Sequence, residues 1–325
     1  MKRFVGLILF FIAVTTHAQI EGAVTGNHWV GTWATAQQPV VRSFMPYNNN
    51  MSGRSVRQIV KVSIGGKQLR LELSNELSRE PLVIRSVYIA HATDSCAIEP
   101  SSAKYLKFNG NYNTVIPAGK SRFSDALTFD LQPLEKLAIT INYDKAPRVP
   151  TVHMGSRTTS YILRGVSTPK TSFDKAFRED HWFNISAIDV FDLTAKSIAI
   201  IGNSITDGKN STNNAQNRWP DILSESLQKK HGVTDVGILN LGIGNNRVTL
   251  TGGFGFMARK RFDHDILLQR GVRTVVIFEG VNDIGATPNN KVETVTNDLI
   301  QSYEEMIRKA KERNLRVFLG TISPF

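Results

Sequence analysis

The spacing of apolar residues changes once along this chain, near Asp192, and that change limits the fold more than any other feature. Before it, from about residue 27 to residue 190, the pattern has the period of strands. Leu69, Leu71 and Leu73 alternate with Arg70, Glu72 and Ser74, as in a sheet with one buried face. Residues 56–64, 83–90 and 137–143 continue the pattern, and Gly65-Gly66 between two such runs reads as a hairpin turn. Many short strands joined by Gly, Pro and Asn turns predict a β-sandwich or jelly-roll-like domain.

After Asp192 the strands become unbroken apolar runs. Residues 197–201, 236–241, 274–278 and 315–319 read as strands, with helices predicted over about 216–230 and 256–269. A longer helix carries Val292, Val295, Leu299, Met306 and Ile307 near one side. Apolar strands alternating with amphipathic helices predict an α/β fold whose parallel sheet is covered on both faces.

Composition bears on compartment and partners. Met1-Lys2-Arg3 is a basic head, residues 4–14 are apolar, and Ala18 offers a small residue for cleavage. The run is too short for a bilayer-spanning helix and has the form of a secretory signal peptide. The expected organisation is a signal peptide over 1–18, an accessory β-domain over 19–192 and an α/β domain over 193–325, in a secreted or periplasmic protein. No cysteine follows the apolar run to carry a lipid, so no stable membrane anchor is expected. Cleavage would remove Lys2 and Arg3 and lower the formal charge from +11 to +9. That charge is scattered. Its densest run, Arg259-Lys260-Arg261, is followed by Asp263 and Asp265 and reads as a solvated helix face, so no nucleic-acid partner is expected. The single cysteine, Cys96, excludes an internal disulfide and any zinc site built from several cysteines.

In a parallel sheet, ligands collect beyond the carboxyl ends of the strands. Three polar, glycine-containing segments follow three of the expected strands: Gly202-Asn203-Ser204-Ile205-Thr206-Asp207-Gly208, Asn240-Leu241-Gly242-Ile243-Gly244-Asn245-Asn246-Arg247, and Glu279-Gly280-Val281-Asn282-Asp283. A serine between strand and helix can present its hydroxyl beside backbone N–H groups able to hold a developing oxyanion. The plainer alternative is a turn in which Ser204 caps the helix. Neither G-x-G-x-x-G in the first segment nor G-x-x-x-x-G-K-[ST] anywhere supports nucleotide binding.

These three segments, in this order, resemble the conserved blocks of the SGNH hydrolases, or GDSL esterases and lipases. The N-terminal half is similar to the accessory β-domain of a secreted subgroup through Trp29-Val30-Gly31-Thr32-Trp33-Ala34, Arg57-Gln58-Ile59-Val60, Leu73-Ser74-Asn75 and Asp189-Val190. The resemblance implies a three-layer, flavodoxin-like sheet, incomplete at its C-terminal end, and a carboxylic ester hydrolase working through an acyl-serine. Ser204 would be the nucleophile. The backbone N–H groups of Ser204 and Asn245 and the side chain of Asn282 would hold the oxyanion. Two positions depart from the family pattern: Asn245 stands where glycine is usual, and Asn203 where aspartate is usual. The substrates implied are small acyl esters, acetyl esters of carbohydrates among them, with no cofactor, no metal and no obligate protein partner.

The resemblance also implies an Asp-x-x-His block that supplies the general base. None of the seven histidines has aspartate three residues before it. The expectation is therefore that this block lies beyond Phe325, and that residues 19–325 alone are nearly inactive or poorly folded. His28, His91, His153, His181 and His264 read as surface or structural residues. The runner-up is a carbohydrate-binding protein on a non-catalytic scaffold, with Trp29 and Trp33 stacking on sugars.

Overall fold

A computed structural model describes residues 28–46 and 50–322; the apolar run over 4–14 and the expected cleavage site lie outside the described residues. The chain first builds antiparallel sheets. One pairs Trp29–Ala34, Ile185–Phe191, Gly66–Ser74 and Ser121–Phe123 in that order, with Leu127–Leu131 also on Gly66–Ser74. The other centres on Ser160–Arg164, Arg54–Lys61, Lys136–Lys145 and Leu82–His91. Their alternating apolar residues meet in one core, with Leu69, Leu71, Leu73 and Ile188 from the first sheet packed with Val60, Ile89, Ile139 and Ile141 from the second. A small third sheet joins Gln38–Pro39, Thr151–His153 and Trp182–Phe183.

Gly65-Gly66 does not form a hairpin. Arg54–Lys61 and Gly66–Ser74 belong to different sheets, and the chain crosses between them there. The physical need at Gly65 is space, because a Cβ would lie 2.3 Å from the Leu131 carbonyl oxygen.

Between Phe191 and Lys196 the pairing changes from antiparallel to parallel. Four strands run in the order Val236–Gly242, Lys196–Gly202, Val272–Phe278, Arg316–Leu319. Their unbroken hydrophobicity has a direct cause: both faces are covered. Ile198 and Ile200 face the helix Trp219–His231, while Ala199 and Ile201 join Phe262, Val295, Leu299 and Met306 on the opposite side.

Two helices differ from the sequence reading. The first begins at Trp219 rather than near 216, since Pro220 suits a first turn and Asp221 turns back to accept from the Arg218 N–H at 2.9 Å. The second is only Ala258–Phe262 before it widens into a π turn over Asp263–Leu267, where the Leu268 N–H reaches the Asp263 carbonyl at 3.2 Å. Among the described residues, no helix is long and apolar enough to cross a membrane.

The β-rich and α/β parts touch through backbone as well as side chains. Gly31 donates to the Arg270 carbonyl at 3.0 Å, and Ser197 Oγ donates to the Gly31 carbonyl at 2.8 Å. Ser63 Oγ accepts from the Ile238 N–H at 2.9 Å. Arg270 also reaches Asp189 and Glu72, beside Arg70 on the same Asp189 carboxylate.

Candidate functional site

The three polar segments meet because of strand register. Gly202 pairs with Gly242 on one side and with Phe278 on the other, so all three loops leave the sheet at one level. In the first loop Asn203 is extended, and its side-chain oxygen accepts from the Ile205 N–H at 3.0 Å. The cap of the short helix Ser204–Asp207 is therefore Asn203, and Ser204 is its first residue. Gly208, at φ 100°, ends the helix, and its N–H returns to the Ser204 carbonyl at 3.0 Å. Ser204 itself is half-buried. Among the described residues, its backbone N–H has no hydrogen-bond acceptor.

Asn245 is exposed, with φ at 52°. That left-handed turn is one asparagine tolerates better than most residues. Its carbonyl accepts from the Phe254 N–H at 3.2 Å, while its own N–H has no acceptor among the described residues. The Asn282 amide donates to the Asn246 carbonyl at 2.8 Å, which uses one of its two N–H bonds and fixes the direction of the other. Next to it, the fully buried Asp283 carboxylate accepts from the N–H groups of Val248, Thr249 and Leu250 at 2.7, 2.9 and 3.0 Å. The second loop is thus tied to the third.

Several residues that hold this arrangement were not singled out by sequence reasoning. Asp207, buried at the end of the serine helix, accepts from the Gly244 N–H at 2.7 Å, one residue before Asn245. Its other oxygen lies 2.9 Å from His153 Nε2, and His153 Nδ1 lies 2.9 Å from the Ala36 carbonyl. A carbonyl only accepts, so Nδ1 donates to it and Nε2 faces the carboxylate. The β-rich part therefore reaches the serine loop through a buried pair. Gly155 is required there, since a Cβ would lie 2.1 Å from Asp207 Oδ2.

Arg261 corrects the reading of the basic run as a solvated helix face. It is 4% exposed. Its guanidinium donates to the Gly202 carbonyl at 3.1 Å, the Leu241 carbonyl at 2.7 Å, Asn246 Oδ1 at 3.0 Å and Asp265 at 2.7 Å. One planar cation so clamps the ends of the serine strand and its neighbour. The i,i+4 spacing of Arg261 and Asp265 was the available signal, but charge spacing does not reveal burial.

The described histidines are engaged away from Ser204. His264 bridges Asp265 at 2.7 Å and Glu76 at 3.1 Å, and these hydrogen bonds, Asp265 first, raise its pKa to about 10 despite partial burial. It is a cation near neutrality. His181 Nδ1 faces the Met154 carbonyl at 2.8 Å, and His91 pairs with Glu135. His28 packs against Phe191, and His231 closes the helix Trp219–His231. Among the described residues, no hydrogen bond joins a histidine to Ser204. The proposed sugar platform also changes: Trp33 is buried edge-on against Trp182 at 5.0 Å, and Arg70 lies over Trp29 at 4.6 Å.

A family model described as GDSL-like Lipase/Acylhydrolase family matches residues 200–325, which include all three loops. No curated protein matches the chain. Among solved structures, an acetyl xylan esterase, AlAXEase, is 23% identical with a TM-score of 0.31, over 38% of this chain and 56% of that one. AlinE4, an SGNH-hydrolase family esterase, is 18% identical with a TM-score of 0.32, over 41% of this chain and 62% of that one. A family two carbohydrate esterase from Cellvibrio japonicus is 10% identical with a TM-score of 0.28, over 92% of this chain and 79% of that one. The chain therefore spans less than two thirds of the first two of these proteins.

Proposed function

We propose that this chain carries the nucleophile and oxyanion-binding loops of a serine carboxylic ester hydrolase, exported from the cytoplasm and acting on small acyl esters, acetyl esters of carbohydrates in particular. The observation that carries the reading is the common level at which Gly202, Gly242 and Phe278 release their loops. It gathers Ser204, the free N–H groups of Ser204 and Asn245, and the anchored amide of Asn282 at one edge. The match of residues 200–325 to the GDSL-like family model supports the same reaction class.

In this reading Ser204 Oγ adds to the ester carbonyl carbon, and the carbonyl oxygen takes the negative charge. Fixed N–H donors stabilise that charge more than they stabilise the neutral carbonyl, and this difference lowers the barrier. The tetrahedral intermediate collapses with loss of the alcohol, leaving an acyl-serine that water cleaves to the acid and free Ser204. Both steps need a base, because a serine hydroxyl is not ionised near neutrality. In the family it resembles, that base is the histidine of an Asp-x-x-His block, and among the described residues no histidine is hydrogen-bonded to Ser204. Nothing in the two steps calls for a metal or an organic cofactor.

The test is hydrolysis of p-nitrophenyl esters from acetate to octanoate and of acetylated xylan by the full chain and by S204A. The reading expects Ser204 to react with a phosphonate, and whatever ester release occurs to fall with acyl length and to be lost in S204A. Hydrolysis that S204A retains, or none by a chain that also fails to react at Ser204 with a phosphonate, would overturn it.

A further inference from the structure

Glu279 follows the third parallel strand, Val272–Phe278, immediately before Gly280, and its side chain is wholly enclosed. A carboxyl in such a place is expected to have both oxygens bound to donors. Here Oε2 accepts from the Gly280 N–H at 3.3 Å, and Oε1 has only Arg261 Nη2 at 3.6 Å, outside hydrogen-bond reach. Arg261 gives four of its five N–H donors to Gly202, Leu241, Asn246 and Asp265, and the fifth, on Nη2, is the one nearest Oε1. The Asn203 amide lies beside the same carboxyl, and Asn203 is the residue that caps the Ser204 helix. Glu279 therefore faces the guanidinium that holds the Gly202 carbonyl, with Asn203, one residue before Ser204, also near its carboxyl.

We propose that Glu279 is a positioning residue for Ser204, acting through Asn203 and Arg261, and that its uncharged form is the one in which the Ser204 N–H best accepts a developing oxyanion. This rests on the ester-hydrolase reading. When Glu279 is ionised, a buried negative charge sits beside Arg261, which holds the Gly202 carbonyl two residues before Ser204, where another negative charge would develop. Two like charges in a poorly screened interior repel, and the repulsion is reciprocal: charge at the oxyanion site favours the protonated glutamate. Burial raises the carboxyl to about 7, against the opposing pull of Arg261 and the Gly280 N–H, so the change falls near neutrality. The groups facing it are Arg261 from the helix before the π turn, Asp265 behind Arg261 with His264 beyond, Asn203 from the serine loop and Asp283 from its own loop. Tyr303 from the long helix donates to the Glu279 carbonyl at 3.0 Å.

Glu279→Gln keeps the shape and removes the charge. In the full chain, the backbone amide resonances of Asn203, Ser204 and Gly280 are followed by NMR from pH 5.5 to 8.5. The wild type is expected to titrate with a midpoint near 7, and E279Q to stay flat. The rate at which a p-nitrophenyl phosphonate modifies Ser204 is expected to match in the two proteins at low pH. Above the midpoint E279Q should react about three- to tenfold faster. Flat amides in the wild type, the same titration in E279Q, or equal phosphonylation rates throughout would overturn the proposal. If Ser204 reacts in neither protein, the ester-hydrolase reading fails, while the amide titration, which needs no chemistry, still decides whether the charge of Glu279 reaches the serine loop. Folding of E279Q is verified by its melting temperature. A carboxyl raised on folding gives stability that is full below its unfolded pKa and is lost as pH rises through the folded one. E279Q is therefore expected to melt no lower than the wild type above pH 7.

Discussion

Single side chains carry unusual weight at the sheet edge. Arg261 satisfies two strand-end carbonyls, an asparagine and an aspartate at once, so Arg261→Met leaves several buried partners open. Removing one member of a buried ionic cluster typically costs about 3–5 kcal/mol, and urea denaturation should show a loss of that order. His264 gives a prediction with a sign. Its pKa is raised on folding by Asp265 and Glu76, so its contribution is complete below pH 6.5 and disappears as pH rises through about 10. H264Q should accordingly lower the melting temperature at pH 6 and leave it nearly unchanged at pH 10.5. Asn245 supplies a backbone N–H in a left-handed turn. On the proposed reading, Asn245→Gly should leave the reaction of Ser204 with a phosphonate intact and shift stability by no more than about 1 kcal/mol. Asn245→Pro removes the N–H and forces a negative φ, and on the same reading should abolish that reaction.

At the scale of strands and helices, the parallel half was readable because its elements obey their own periods. The run over 197–201 was legible as a buried strand since Ile198 and Ile200 face one helical layer and Ala199 and Ile201 the other. That Ser204, Asn245 and Asn282 follow the ends of strands was legible for the same reason, with Ser204 and Asn282 lying in short helices. What could not be read was the set of contacts made across long sequence separations. Arg261 looks like any surface cation until the fold carries it under Gly202, and Glu279 looks like the first residue of an ordinary turn. Gly65-Gly66 misled because a close backbone approach and a hairpin ask for the same residue. Gly237 is a further case of close approach: a Cβ there would lie 2.2 Å from the Gly31 carbonyl oxygen. Backbone on both sides cannot swing away as a side chain can. Gly237→Ala should therefore force the strands Trp29–Ala34 and Val236–Gly242 apart, with a melting-temperature loss larger than that of an alanine at the open Gly119.

For the molecule as a whole, the two parts behave as one body because their contacts are buried and polar. His153 and Asp207 bind the β-rich part to the serine helix, and Ser63 and Ser197 bind backbone across the divide. Residues 28–192 produced alone would expose Ala34, Ala36 and Ala187, which pack in the α/β core, and would leave Asp189 without Arg270. That fragment should melt well below the full chain and bind a hydrophobic dye that the full chain does not.

The contact of Gly31 with Arg270 and Ser197 also has a meaning for biosynthesis. Trp29–Ala34 is the first described strand, yet its outward side is completed only by residues made much later. A chain emerging from the ribosome can pair this strand with Ile185–Phe191 and close the sheets around their core, but the surface around Gly31 waits until residue 271 has appeared. During that interval a nearly finished sheet shows an unsatisfied edge to solvent, the kind of intermediate that invites aggregation. Order of synthesis and order of assembly therefore run in opposite directions in this protein, and its yield on expression should depend on how fast the last third is translated.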